Sequence, residues 1–315
     1  MRPSDLTIAI PVYERVDYFE DALRSALDQT RMCQIIVVDN NSSHETFKLI
    51  IDEIGNGRVK YFKNEENLGM IGNWNRCINL CQTDYITILH DDDLLANTFV
   101  EIVCSIPQSW DVLFTSSIIG EKVPKRYKQA IMPSKKLSPV SLNCFVFGNF
   151  NQVPGTIFKK KCAIAVGLFE NTYGFILDFH FWLKLVSNSK AYYLNQKLSF
   201  YRISSAQGTN SLYKNMIANT YAIMDSVPLY VTNNFLRFWS SFRIYSDGMD
   251  VYEKDSSRTK VSYDFRDNST FIKDHFRFRK IYEFVLLRKT IIFIINKFVK
   301  FNLRYTILKA QHDRK

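Results

Sequence analysis

Tyr85-Ile86-Thr87-Ile88-Leu89-His90-Asp91-Asp92-Asp93 is an apolar, β-branched run that breaks off in three consecutive carboxylates. The apolar part reads as a buried strand. The acidic part places like charges side by side, an arrangement that repels itself unless a cation gathers it, and a divalent metal is the usual one. A plainer reading stands beside this: Asp92 or Asp93 caps a helix begun by Leu94-Leu95-Ala96-Asn97-Thr98-Phe99-Val100.

Working outward, the first 120 residues alternate strand and helix. Leu6 to Val12 reads as a strand stopped by Pro11, and Asp17 to Gln29 as a helix with Asp17 and Glu20 at capping spacing. Gln34 to Val38 is a strand ending at Asp39, and Ser42-Ser43-His44-Glu45 forms a capping box for a helix to about Ile54. Val59 to Phe62 is a third strand, Met70 to Cys81 a helix and Tyr85 to Leu89 a fourth strand. Continuous apolar strands separated by single helices predict a parallel sheet covered on both faces, with ligands beyond the carboxyl ends of the strands. Asp39 and Asp91-Asp92-Asp93 both fall at such ends.

After Asp111 the alternation fails. Gly120 to Asn143 reads as a loop, rich in Lys122, Lys125, Arg126, Lys128, Lys135 and Lys136, that lies over a site or moves. Thr156-Ile157-Phe158 is a strand, Asp178 to Val186 a helix, and Tyr192-Tyr193-Leu194 and Leu198 to Arg202 are short strands. From Leu212 onward a mainly helical region is predicted, with a polar interruption near Asp247 to Thr270. No internal repeat is visible.

The chain has 315 residues, 46% hydrophobic and 23% charged, which suits a folded protein with a sizeable core. Its net charge of +10 is uneven: residues 276–315 hold 11 Lys or Arg against 2 Asp or Glu, so this tail carries +9. The six cysteines (33, 77, 81, 104, 144 and 162) form no CxxC pair, and the N-terminus enters a strand without an apolar signal segment. A reducing, cytosolic setting is therefore expected. Cys77 and Cys81 read as small buried hydrophobes.

Four blocks, in order, resemble the GT-A glycosyltransferases of family 2 across residues 5–205. They are Thr7 to Tyr13, Ile36 to Ser42, Leu89 to Asp93, and Leu177-Asp178-Phe179-His180-Phe181-Trp182-Leu183, with a fifth match at Asn67 to Asn75. The resemblance implies an α/β fold with a Rossmann-like, mostly parallel sheet flanked by helices over residues 1–205. Residues 206–315 are then a mainly helical C-terminal region with a basic amphipathic tail. It implies an inverting, metal-dependent transfer of a sugar from a nucleotide sugar, most simply a UDP-sugar, to a glycan acceptor. By analogy the acceptor is a lipid-linked oligosaccharide of a bacterial surface polysaccharide such as an O-antigen.

The resemblance also assigns roles. Asp39 accepts hydrogen bonds from the nucleotide, against the plainer reading of an Asx-turn before a helix. Pro11, Tyr13 and Glu14 close the first strand at the same rim, and Asn67 belongs to the fifth block. Asp92 is the metal ligand of a DxD-type element, binding Mg²⁺ or Mn²⁺ through hard oxygens, and Asp91 serves the ribose or sugar. His90 stands where the family often has the first Asp, but no second nitrogen or sulfur ligand makes this a zinc site. Asp178 is the general base, with Leu177 in place of the usual preceding acid, and an N-cap is its structural alternative. Arg202 stabilises the departing diphosphate; Ser204 stands where a histidine often follows.

In the tail, Phe284-Val285-Leu286-Leu287 and Ile291 to Ile295 are interleaved with Arg288, Lys289, Lys297, Lys300 and Arg304. No uncharged stretch reaches the ~18 residues a spanning helix wants. Two readings remain open: a basic helix lying on an anionic membrane, which makes the protein peripheral on the inner face of the cell membrane, or a helix packed on the body with a solvated basic face. No nucleic-acid-binding module accompanies the charge, so nucleic acid is not an expected partner. Two rival functions are a nucleotidyltransferase and a non-catalytic nucleotide-binding protein docked to a membrane or partner. The first wants a Gly-rich phosphate loop where Pro11-Val12-Tyr13-Glu14-Arg15 stands; the second predicts loss of Asp92 or Asp178, and both are present.

Overall fold

The structure is a computed structural model that describes residues 1–124, 137–145, 149–172 and 176–203. The chain divides into two compact units: one of Met1–Val140, Asn151–Glu170 and Phe181–Ser205, the other containing Ser141–Phe150 and Asn171–His180. Five basic residues of the expected loop (125, 126, 128, 135 and 136), Ser204, the helical region from Leu212 and the whole basic tail lie outside the described residues.

The first unit begins with a 3-10 turn and β1 (Leu6–Val12), α1 (Phe19–Leu27), β2 (Gln34–Asp39), α2 (Thr46–Ile54), β3 (Val59–Lys63), α3 (Gly69–Leu80) and β4 (Tyr85–Ile88). Then come β5 (Leu94–Leu95), α4 (Phe99–Cys104), β6 (Val112–Gly120), β7 (Leu137–Val140), β8 (Ile157–Lys159) and α5 (Lys160–Ala165). The helix α6 (Leu177–Asn188) and the long strand β9 (Ala191–Arg202) follow. The sheet order is β3-β2-β1-β4-β8-β6-β9-β5, with β7 also on β9.

Strands β3, β2, β1 and β4 are mutually parallel, as the alternating pattern predicts. Every residue of β1 is buried, and β2 is buried from Ile35 onward, because helices must cover both faces of such a sheet. In α1 the buried set Phe19, Ala22, Leu23 and Ala26 follows the helical period. Beyond β4 the sheet turns mixed: β8 is antiparallel to β4 and β6, whereas β6 and β9 run parallel. An aromatic cluster packs behind it, with Phe169 and Phe181 ring centroids 4.0 Å apart and Trp182 edge-on to Phe114 and Phe158.

Several local expectations are corrected. Pro11 does not stop β1; it pairs with Val38 of β2, and the register with β4 has already ended at Ala9 and Ile88, where a missing N–H costs nothing. Leu94 and Leu95 start no helix. They pair antiparallel with Phe200 and Ser199 of β9, which delays α4 to Phe99 and leaves Asp92 and Asp93 without a capping role. Neither Asp17 nor Ser42 caps a helix, since α1 and α2 begin after Tyr18 and Glu45 without a side-chain cap. The two short strands expected near the end are one twelve-residue strand, and within the expected loop Leu137–Val140 form β7.

Candidate functional site

At the carboxyl end of β4 the chain turns sharply, with the Asp93 N–H donating to the His90 carbonyl at 3.2 Å. Three neighbours fix this acidic turn. The His90 ring stacks on Trp74 of α3, centroids 4.9 Å apart at 24°, and its Nδ1 lies 3.1 Å from Asp93 Oδ2. The Arg202 backbone N–H donates to Asp93 Oδ1 at 2.8 Å, and Arg202 Nε donates to the Asp92 carbonyl at 2.8 Å. One guanidinium nitrogen of Arg15 reaches Asp91 Oδ1 at 2.6 Å and Asp92 Oδ2 at 2.8 Å.

The electrostatics follow from this packing. Burial pushes the Asp93 carboxyl above the usual range, with His90 and the Arg202 N–H only partly countering it. Burial also raises Asp91, against the opposing pull of Arg15. For Arg15 burial works against the charge, yet Asp91 and Asp92 outweigh it and hold the guanidinium more firmly protonated than usual. His90 is likewise held above its ordinary value: burial disfavours its charge, but the Asp93 hydrogen bond prevails.

Donor atoms of His90, Asp92 and Asp93 lie within 4.8 Å of one another. The donor chemistry fits a hard divalent cation through Asp92, whose carboxylate already accommodates a positive group in Arg15. Asp93 is committed to His90 and Arg202, and His90 Nε2 is buried without a partner.

The other residues singled out from sequence fall in two sets. Asp39 is fully buried; Oδ1 accepts from the Ser42 N–H and hydroxyl, and Oδ2 accepts from the Tyr61 hydroxyl at 2.6 Å. The two carboxylate oxygens thus hold the turn to Ser42 and the Tyr61 hydroxyl in place. Burial and Asp39 together raise the Tyr61 phenol, which therefore stays a donor. Glu14, at φ 54°, binds the Ser43 N–H and hydroxyl, which hold its carboxyl below the usual range. Asn67 joins an amide ladder: its Oδ1 accepts from Asn40 and the Gly69 N–H, while Asn64 links Asn40 to Asn73. Pro11 is buried in β1 and Tyr13 is exposed at the rim beyond it.

The Arg202 side chain is 8% exposed, lies over the Tyr18 ring at 4.1 Å and reaches Asp21 at 3.4 Å. Arg15, Asn40, Trp74 and His90 acquire contacts that sequence reasoning did not assign. Arg15 lies two residues past the first family block, and that nearness was its only signal.

In the second unit Asp178 sits in the first turn of α6, half-buried. Its Oδ2 accepts from Asn149 Nδ2 at 2.8 Å and its Oδ1 from the Phe179 N–H at 2.8 Å.

Residues 7–130 match the family model of glycosyl transferase family 2. An uncharacterized glycosyltransferase of Rickettsia typhi is 27% identical over 65% of this chain and 66% of its own. The GalNAc(5)-diNAcBac-PP-undecaprenol beta-1,3-glucosyltransferase of Campylobacter jejuni is 26% identical over 63% of this chain and 64% of its own. The match thus spans slightly less than two thirds of either relative. Among solved structures, S. aureus TarS 1-349 in complex with UDP-GlcNAc superposes with a TM-score of 0.60 at 14% identity, covering 99% of this chain and 92% of TarS 1-349. A mannosyltransferase from Pyrobaculum calidifontis, in complex with GDP-Man and Mn2+, gives 0.58 at 10% identity over 90% of this chain and 89% of its own. Residues 7–130 are thus similar to family 2 glycosyl transferases, and the fold is that of the GT-A structures.

Proposed function

We propose that this protein transfers a sugar from a nucleotide sugar, most simply a UDP-sugar, to a glycan acceptor with inversion at the anomeric carbon. The acidic turn Asp91-Asp92-Asp93 carries the reading, because it projects from the parallel half of the sheet at the end where such folds take nucleotides. The UDP-GlcNAc complex of a fold neighbour supports this class of donor, and the undecaprenol-linked acceptor in a relative's name supports a lipid-linked acceptor.

Mg²⁺ or Mn²⁺ held by Asp92 would supply positive charge for the departing diphosphate. Asp91 orients the ribose or sugar, while Tyr13, exposed beyond β1, faces the nucleotide side. Asp178 accepts the acceptor hydroxyl's proton as that oxygen bonds to the anomeric carbon and the carbon–phosphate oxygen bond breaks, releasing a nucleoside diphosphate. The hydrogen bond from Asn149 holds the Asp178 carboxylate in one orientation. The acceptor is a lipid-linked oligosaccharide of a bacterial surface polysaccharide, reached from the cytoplasmic face with the basic tail resting on anionic lipid.

Incubation with UDP-, GDP-, dTDP- and CMP-sugars, with Mn²⁺ or Mg²⁺ and with EDTA, reads out released nucleotide directly. The expected result is metal-dependent release from one donor class, lost in Asp92→Asn. Equal release by Asp92→Asn, or none from any donor with lipid-linked acceptors present, overturns the reading.

A further inference from the structure

Arg15 occupies the face of the acidic turn at which a metal and a diphosphate meet in the proposed reaction. The backbone aims it there: Glu14 at φ 54° is clamped by Ser43, and the Arg15 N–H folds back to the Tyr13 carbonyl. Its side chain is 29% exposed, against 13% for Asp91 and 7% for Asp92. Two carboxylates this poorly hydrated need a counter-charge, and a single guanidinium nitrogen supplies it to both. The guanidinium of the other arginine at this turn, Arg202, is engaged by Tyr18 and Asp21.

We infer that Arg15 is a resident counter-cation of the Asp91–Asp92 pair, which holds the site's place for the divalent ion and passes to the donor's diphosphate when ion and donor enter together. This rests on the reading of the site as one for a nucleotide sugar. A metal bound to Asp92 and a guanidinium on the same oxygen repel each other, so either excludes the other until a new anion receives the guanidinium. A diphosphate is that anion, with oxygens matched to the planar fork of arginine. Ion and nucleotide then bind with positive coupling, and a stray divalent ion without donor is held weakly.

Mn²⁺ binding, followed by the electron paramagnetic resonance of the free ion, tests this with and without UDP in the full chain. The wild type should hold Mn²⁺ at least tenfold more tightly when UDP is present. Arg15→Gln should hold Mn²⁺ alone at least tenfold more tightly than the wild type, with weaker UDP binding at saturating Mn²⁺ and most of the coupling gone. Arg15→Lys keeps the charge without the fork; it should leave Mn²⁺ alone weakly bound and still weaken UDP. Thermal melting of each variant confirms that it is folded. Unchanged or weaker Mn²⁺ binding by folded Arg15→Gln overturns the inference while leaving the glycosyltransferase reading intact. Absence of UDP binding by the wild type, or Mn²⁺ and UDP binding unaffected by Asp92→Asn, overturns both.

Discussion

Asp178 pairs with Asn149 and with the amide of Phe179, so its carboxylate is oriented whether or not substrate is present. Asp178→Asn keeps the shape and cannot take a proton. Transfer should fall on the order of 10²-fold or more while nucleotide affinity stays within about twofold; retained turnover with lost affinity would make Asp178 a structural cap. Gly155 gives a second test of a single position. It lies at φ 83°, and a Cβ there would stand 2.7 Å from the hydroxyls of both Ser199 and Thr115. Gly155→Ala should cost about 2–4 kcal/mol in urea denaturation, combining a left-handed backbone with overpacking. At this scale the sequence located the acidic turn but not the contacts that hold its neighbours. Nothing in Val38-Asp39 announces that the carboxylate accepts from Ser42 and Tyr61. Nothing in Phe200-Tyr201-Arg202 announces that the guanidinium lies over the Tyr18 ring.

Among elements, the parallel quartet was legible because β1, β2 and β4 are largely apolar runs and β1, β2 and β3 are each followed by a helix. The antiparallel half was not. β5 is two residues long, and nothing in Leu94-Leu95 announces a partner more than a hundred positions away in β9. Asp111 ties three of these strands: Lys159 Nζ donates to Oδ1 at 2.8 Å, the Lys190 N–H to Oδ2 at 2.9 Å, and the Asp111 carbonyl accepts the Lys159 N–H. Burial opposes ionisation of Asp111, but Lys159 and the Lys190 N–H prevail and hold its pKa below the ordinary 3.8. The stabilisation is therefore complete above pH 3.8 and is lost as pH falls through the lower folded-state value. Asp111→Asn should lose about 1–3 kcal/mol at neutral pH. Its melting temperature should also fall less steeply than the wild type's on acidification below pH 3.8; parallel curves would show that Asp111 contributes no charge-dependent stability.

For the whole molecule, charge is the feature the composition shows best, since residues 276–315 carry +9 of the net +10. Among the described residues no helix is long and apolar enough to cross a membrane. If the tail meets anionic lipid, replacing Arg288, Lys289 and Lys297 with Gln in the full chain should remove roughly 1 kcal/mol per charge from binding to phosphatidylserine vesicles at low salt. Vesicle sedimentation that ignores both the substitutions and added salt would assign those charges elsewhere. The long reach of β9 has a further consequence, one that belongs to synthesis. The acidic turn takes its shape from bonds between Arg202 and residues 109 and 110 positions earlier. A nascent chain that has released β1 to β4 already displays the three carboxylates and Arg15, but not the strand that shapes them. Until Arg202 leaves the ribosome, the turn has no floor, and whatever metal or nucleotide it meets finds charge without a mould.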